Sequence, residues 1–261
     1  MIIIKINNDK HLGDNVFTMI LFNNIKKYIE TNNIIIYYYC LEEYHKQLKE
    51  FITSSNIILL NYENISVNIW IGNREFNYNN YNKEKTTSFN DFYVIFFNNL
   101  LKKMNIYYNI DKLEYIDNEL IDRYNNLNDK YKNIDILIIN SDALSGQYDK
   151  NENEWERYIN LLNSKYNIVI TKKINDIYKC TLDDNLTIKD IASISIKTKI
   201  IIAINTGVFP ALLNNLTLNN VKKIYNFDNK EFYNIDKIKS CKGCISSQID
   251  LNEIYEICSI G

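Results

Sequence analysis

One proline, six glycines and two histidines are spread over 261 residues. So few backbone punctuators exclude a collagen-like or Pro/Gly-rich disordered chain, and His11 and His45 have no neighbouring partner that suggests a metal site. A dominant charge is missing too: 30 Lys+Arg face 32 Asp+Glu, a net charge of -2. No basic field exists to hold a phosphate backbone, so nucleic acid is not an expected partner. No apolar run approaches the ~20 residues of a membrane helix. The opening Met1-Ile2-Ile3-Ile4-Lys5 also lacks the small-residue cleavage site of a signal peptide. A cytoplasmic protein with no transmembrane segment is expected.

The five cysteines are an odd number, and without a signal sequence they are expected as reduced thiols. Cys40 and Cys180 fall in apolar strand-like segments and read as small buried hydrophobes. Cys241-Lys-Gly-Cys244 has metal-ligand spacing, with Cys258 further on. The nearby sequence offers no histidine and only carboxylates such as Asp250 and Glu253 as a fourth ligand, so neither zinc nor any cofactor is expected.

What is present is a globular composition, 46% hydrophobic and 13% aromatic, able to bury a core. Abundant Asn, Ile and Lys with 21 Tyr match the output of AT-rich codons. Stretches such as Asn77-Tyr78-Asn79-Asn80 are therefore read as compositional bias rather than prion-like low complexity.

Short β-branched runs alternate with helical spacing. Strands are expected at Ile2–Ile6, Ile34–Tyr39, Ile57–Leu60 and Val67–Ile71, with helices from Val16 to Tyr28, Leu41 to Ile52, Asp91 to Met104 and Glu119 to Tyr131. The polar stretch Asn73–Asn90 reads as a loop. The alternation restarts with strands at Ile134–Ile139, Ile168–Thr171, Ile200–Ile204 and Val221–Phe227. Helices are expected at Glu152–Ser164, Ile188–Ile196 and from Val208. Continuous apolar strands separated by helices predict an α/β protein of two Rossmann-like domains with parallel sheets, residues 1–130 and 131–261, breaking near 128–133.

Three segments follow strands, where open α/β sheets place ligands. In His11-Leu12-Gly13-Asp14-Asn15, Gly13 permits a tight turn. Asp14 either caps the following helix or acts as a carboxylate general base. In Asn205-Thr206-Gly207-Val208, Gly207 lets the backbone approach a ligand, and amides of the following helix suit a diphosphate. In Asn140 to Gly146, Ser145 and Gly146 can line a phosphate or sugar site. Trp155, in the next helix, reads as core.

Taken in order, these segments resemble glycosyltransferase family 9, the ADP-heptose:lipopolysaccharide heptosyltransferases and relatives. His11-Leu-Gly-Asp-Asn-Val-Phe-Thr18 is similar to the family's opening LGD-x-x-x-T. The segment Ile134 to Thr171 resembles the opening of the donor domain, and Ile200 to Gly207 resembles the strand and D-T-G turn. Cys241, Cys244 and Cys258 resemble a C-terminal cysteine cluster. The chain departs from the pattern in Asn205 for the Asp of D-T-G and Pro210 for a following His. It also has Asn153 for the Lys of K-x-W, and Lys189 for a Glu that holds the donor's ribose.

The resemblance implies a GT-B-like fold of two facing Rossmann-like domains, acceptor-side first and donor-binding second. It further implies a nucleotide-diphosphate sugar as donor and a glycan, lipid-linked sugar or other hydroxyl as acceptor, joined with inversion and without a metal. Asp14 is the expected base, with Gly13, Ser145, Gly146, Lys189, Asn205, Thr206, Gly207 and Val208 at the substrates. The departures motivate an alternative, a non-catalytic nucleotide- or glycan-binding protein of the same fold. An unrelated Rossmann-like enzyme is the third reading, since strand-to-helix turns recur across superfamilies.

Overall fold

The computed structural model describes residues 1–64, 67–69, 89–111, 117–143, 146, 148–228 and 241–244. The chain divides into two compact units, Met1–Tyr115 and Ile116–Gly261.

In the first unit β1 (Ile2–Asn8) leads through α1 (Leu12–Asn24) and α2 (Lys26–Thr31) to β2 (Ile34–Cys40). Then come α3 (His45–Lys49), β3 (Ile57–Asn61) and α4 (Phe89–Lys103). The strands lie side by side in the order β1-β2-β3, all parallel, with Ile2 opposite Ile34 and Ile36 opposite Ile57. The free side of β1 takes a single parallel bridge, Asn7 to Asn68. That bridge is what the described residues show of the strand expected over Val67–Ile71; Trp70 and Ile71 lie outside them. The expected loop lies outside them as far as Ser88, and its last two residues already belong to α4. Val16, Phe17, Met19, Ile20 and Phe22 of α1 are buried, and Phe22 meets Tyr38 and Phe97 edge-on at 6.1 and 5.7 Å. Each such buried side chain contributes roughly 1.5–3 kcal/mol.

The second unit begins with α5 (Asp117–Asn126), followed by β4 (Ile136–Ile139), α6 (Glu152–Asn163), β5 (Ile168–Ile170) and β6 (Lys179–Cys180). It continues with α7 (Ile188–Ser195), β7 (Ile200–Ile204), α8 (Phe209–Leu212), α9 (Asn215–Asn220), β8 (Lys223–Phe227) and β9 (Cys241–Cys244). The six strands are all parallel, in the order β6-β5-β4-β7-β8-β9. Relabelled by chain position within the unit, this is the 3-2-1-4-5-6 order of dinucleotide-binding folds. The two-residue β6 and the four-residue β9 carry too few apolar residues to be read from periodicity. α9 has the same weakness. Trp155 is core as expected: it is 2% exposed and packs edge-on against Phe227 at 5.4 Å and Tyr148 at 6.3 Å.

Scarce glycine has a visible consequence. Asn33, Asn105, Asn133 and Asn185 adopt φ of 52–56°, the left-handed conformation in which helices commonly end on glycine. Asn tolerates it better than other side chains. Among the described residues no helix is long and apolar enough to cross a membrane.

Candidate functional site

In the first unit the chain runs outward from β1 to β2 and β3 and returns to the other side of β1 at Asn68. The reversal point beside β1 is where such sheets bind ligands, and the segment leaving β1 there is His11 to Asn15. His11 takes the N-cap position of α1 in extended geometry (φ -67°, ψ 145°) and makes no side-chain capping bond. Gly13 is therefore helical, not a left-handed turn residue; among the described residues only Gly146 is a glycine with positive φ. Asp14 stands inside the first turn, where its carboxylate complements the helix dipole. It is partly buried, and its charge reaches Tyr38 and Tyr44.

The turn is braced from below. Asn15 donates through Nδ2 to the His11 carbonyl at 2.9 Å and accepts through Oδ1 from the Tyr38 hydroxyl at 2.7 Å. Thr18 donates to the Asp14 carbonyl at 2.7 Å. Burial holds the Tyr38 phenol well above its ordinary pKa, so it remains a hydrogen-bond donor at neutral pH. Desolvation, aided by the Lys10 charge, pushes His11 down, so its ring is neutral at pH 7. Asn15 and Tyr38 were not singled out in the sequence: a polar residue in an apolar helix run is the only signal, and it names no partner.

In the second unit the strand order reverses between β4 and β7, so the loops leaving these two strands flank the reversal point. Asn140, 1% exposed, joins the ends of β4 and β5. Its Oδ1 accepts from the backbone N–H groups of Thr171 and Lys172 at 3.0 and 2.8 Å, and its Nδ2 donates to the Lys172 carbonyl at 2.9 Å. Beyond it, the Lys150 ammonium contacts Asp142 at 3.1 Å, Glu152 at 3.0 Å and the Asn140 carbonyl at 2.9 Å. Lys172 bridges the same two carboxylates, at 2.8 Å each. Hydrogen bonds from Lys172, then Lys150, hold Asp142 below the usual carboxylate range, against the opposing effect of burial. Glu152 is lowered too: burial acts to raise it, and the two lysines override that. Gly146 is exposed in a left-handed conformation (φ 67°), its N–H donating to Ala143 at 2.9 Å. Ser145 lies outside the described residues.

At the end of β7, the Asn205 N–H donates to the Phe227 carbonyl at 3.0 Å and its side-chain Nδ2 to Asp228 Oδ2 at 2.7 Å. The Thr206 carbonyl accepts from the Phe209 N–H at 3.0 Å. Its hydroxyl oxygen is buried with no hydrogen-bond partner. Gly207 keeps φ outside the left-handed region, so the turn does not need glycine for its backbone angle. Val208 caps α8, a single turn of four residues with Pro210 in its first turn. So short a helix carries little dipole, and any anion held here relies on the hydroxyl and amides of the turn.

Lys189 opens α7, on the carboxyl side of the sheet. The structure buries it, 4% exposed, and ion-pairs its ammonium with Glu119 of α5. Beside it, Arg123 of α5 contacts Asp190 at 2.8 Å, which closes a capping box with Thr187. The resemblance to family 9 marks Lys189 as a ligand contact, but a carboxylate 70 positions away could not be seen in the sequence. Asp228 and Lys150 also went unnoticed; for Asp228 a signal existed, an acidic residue directly after the last apolar strand of the alternation.

Cys40, Cys180, Cys241 and Cys244 are all buried. Among the described residues no group of three or more His, Cys, Asp or Glu is placed to hold a metal, and Cys258 lies outside them.

No family profile and no curated protein matches this sequence. Solved structures do match, over nearly the whole chain. The architecture is similar to that of the E. coli heptosyltransferase WaaC with ADP-2-deoxy-2-fluoro heptose, TM-score 0.61 at 10% identity, covering 99% of each chain. E. coli ADP-heptose lps heptosyltransferase II matches at TM-score 0.51 and 10% identity, over 100% of this chain and 98% of that one. A family 9 glycosyltransferase from Veillonella parvula matches at TM-score 0.50 and 13% identity, over 99% and 88%. The fold is thus GT-B-like, and within that class it is the fold of the family 9 heptosyltransferases.

Proposed function

We propose that this protein is a glycosyltransferase that moves a sugar from a nucleotide-diphosphate sugar to a hydroxyl of a glycan, lipid-linked sugar or other acceptor. Transfer inverts the anomeric carbon, needs no metal and takes place in the cytoplasm. The observation that carries this reading is the buried, unpartnered Thr206 hydroxyl at the reversal point of the second sheet. Burying a hydroxyl without a partner costs about 1–3 kcal/mol, which a ligand phosphate oxygen offsets by accepting from it. WaaC, similar in fold, holds an ADP-sugar analogue.

In this reading the donor lies on the second unit, its diphosphate at Thr206, Gly207 and Val208. Gly146, after β4, joins the lining, and Ser145 is carried over from the sequence and its family resemblance alone. Lys189 contributes through its ion pair with Glu119, which fixes the start of α7, rather than as a free cation. On the first unit Asp14 takes the proton of the acceptor hydroxyl. The acceptor oxygen forms a bond to the anomeric carbon from the face opposite the diphosphate. The bond to the diphosphate breaks with its electron pair, and the turn's neutral donors meet the developing charge.

The Lys189–Glu119 pair and the one-turn α8 favour a second reading, a binding protein of the same fold without turnover. One assay separates them: release of nucleoside diphosphate from a panel of nucleotide sugars, with and without simple sugar acceptors. Asp14→Asn is expected to lower transfer by about 10²–10⁴-fold while leaving donor affinity within twofold. Retained transfer in that variant removes Asp14 from the base role, and binding without any release by the parent leaves only the second reading.

A further inference from the structure

Asn205 and Asp228 meet because the register of β7 on β8 sets Ile204 opposite Phe227, bringing the next residue of each strand together on one face. The backbone is fixed on both sides: the Asn205 N–H donates to Phe227 and the Asp228 N–H donates to the Cys244 carbonyl, each at 3.0 Å. Asp228 is 7% exposed, so its carboxylate is held inside the sheet's end rather than in solvent.

The contact matches amide to carboxyl: Asn205 Nδ2 stands 2.7 Å from Asp228 Oδ2, a donor facing an acceptor. The Asn205 carbonyl oxygen is then turned away from Asp228, on the residue that precedes the unpartnered Thr206 hydroxyl. We propose that Asp228 is a positioning residue: it locks Asn205 so that the ligand-facing edge of this turn presents a neutral acceptor beside a hydroxyl donor. An acceptor cannot bind a phosphate oxygen. It binds a hydroxyl, so Asn205 selects a hydroxyl of the donor while Thr206 takes the phosphate. The ligand half of this inference rests on the donor reading above; the lock itself does not.

The test uses the full-length protein in four forms: parent, Asp228→Asn, Asn205→Asp, and the swap of both. Asn205→Asp sets two carboxylates against each other, so one is forced to hold a proton and its pKa rises. Stability from a raised carboxyl is present below its unfolded pKa and lost as pH rises through the folded one. This variant is therefore expected to melt near the parent at pH 4 and clearly below it at pH 7. The swap restores an amide facing a carboxylate and is expected to recover most of that loss. A swap that melts at pH 7 no better than Asn205→Asp overturns the lock.

The ligand arm takes whichever of ADP, GDP and UDP binds the parent most tightly, its 2′,3′-dideoxy form and its glucose conjugate, by calorimetry. Preference for the ribose form over the dideoxy form places the contact on ribose, and preference for the conjugate over the diphosphate places it on the sugar. Either preference is expected to fall at least threefold in Asp228→Asn, where the amide can turn over. An unchanged preference in that variant, or no preference in the parent, overturns the selection role. Absence of binding by the parent counts against the donor reading, while the melting series still decides the lock.

Discussion

Tyr38 and Asn15 show how a site in this chain is held by single buried polar groups. The Tyr38 hydroxyl is fully buried and donates to Asn15, itself at 0% exposure, which in turn holds the His11 carbonyl at the mouth of α1. Removing one partner of a buried pair leaves the other unsatisfied, at about 1–3 kcal/mol. Tyr38→Phe is expected to lower unfolding free energy by that amount in urea titration, with the slope unchanged. A loss below about 0.5 kcal/mol would show that water or another group satisfies Asn15. The residue scale is also where sequence reading was weakest. Asp14 could be singled out because its segment follows a strand and precedes a helix. Whether Asp14 capped α1 could not be seen, because the cap depends on which residue adopts extended geometry, and that residue is His11.

At the scale of elements, the second sheet's carboxyl edge is fastened by charge. Lys150 has a side chain only 5% exposed and contacts two carboxylates and a carbonyl, tying the loop after β4 to the start of α6. Lys150→Met keeps most of the apolar stem and removes the ammonium. Since Asp142 and Glu152 are about half exposed, the expected loss is modest, about 1 kcal/mol at pH 7. The sign of its pH dependence follows from the lowered carboxyl pKa values. Their contribution is present above the unfolded carboxylate range and lost as pH falls through the lower, folded range. Melting of parent and variant should therefore converge in acid; a gap that stays constant to pH 2.5 would assign the loss to packing.

Most strands and long helices were legible because period-two and period-3.6 patterns survive compositional bias: Ile34, Ile36 and Tyr38, or Trp155, Ile159 and Leu162, mark their own buried faces. β6, β9 and α9 were not legible. They are too short for a period to show, and neighbouring strands and helices hold them in place.

On the scale of the whole molecule, the two units carry different parts of the proposed chemistry, a base at the reversal point of one sheet and an anion site at the reversal point of the other. The order of the chemistry-bearing segments along the chain was visible in the sequence, because each follows an apolar strand. Lys189 illustrates what was not: its burial and its Glu119 partner depend on how α5 packs on α7, a contact between elements far apart in sequence.

The central claim, that the second unit holds a nucleoside diphosphate at the Thr206 turn, is tested most directly by Thr206→Val. The substitution keeps the side-chain shape and deletes a buried hydroxyl that has no hydrogen-bond partner. Calorimetry with ADP, GDP and UDP, alongside urea unfolding of the ligand-free protein, reads both consequences. The account predicts equal or slightly greater stability, because an unsatisfied polar atom is gone, together with at least tenfold weaker diphosphate binding, about 1.4 kcal/mol. Binding by the variant as tight as by the parent, or a stability loss above about 1 kcal/mol that reveals a protein partner for the hydroxyl, would contradict it.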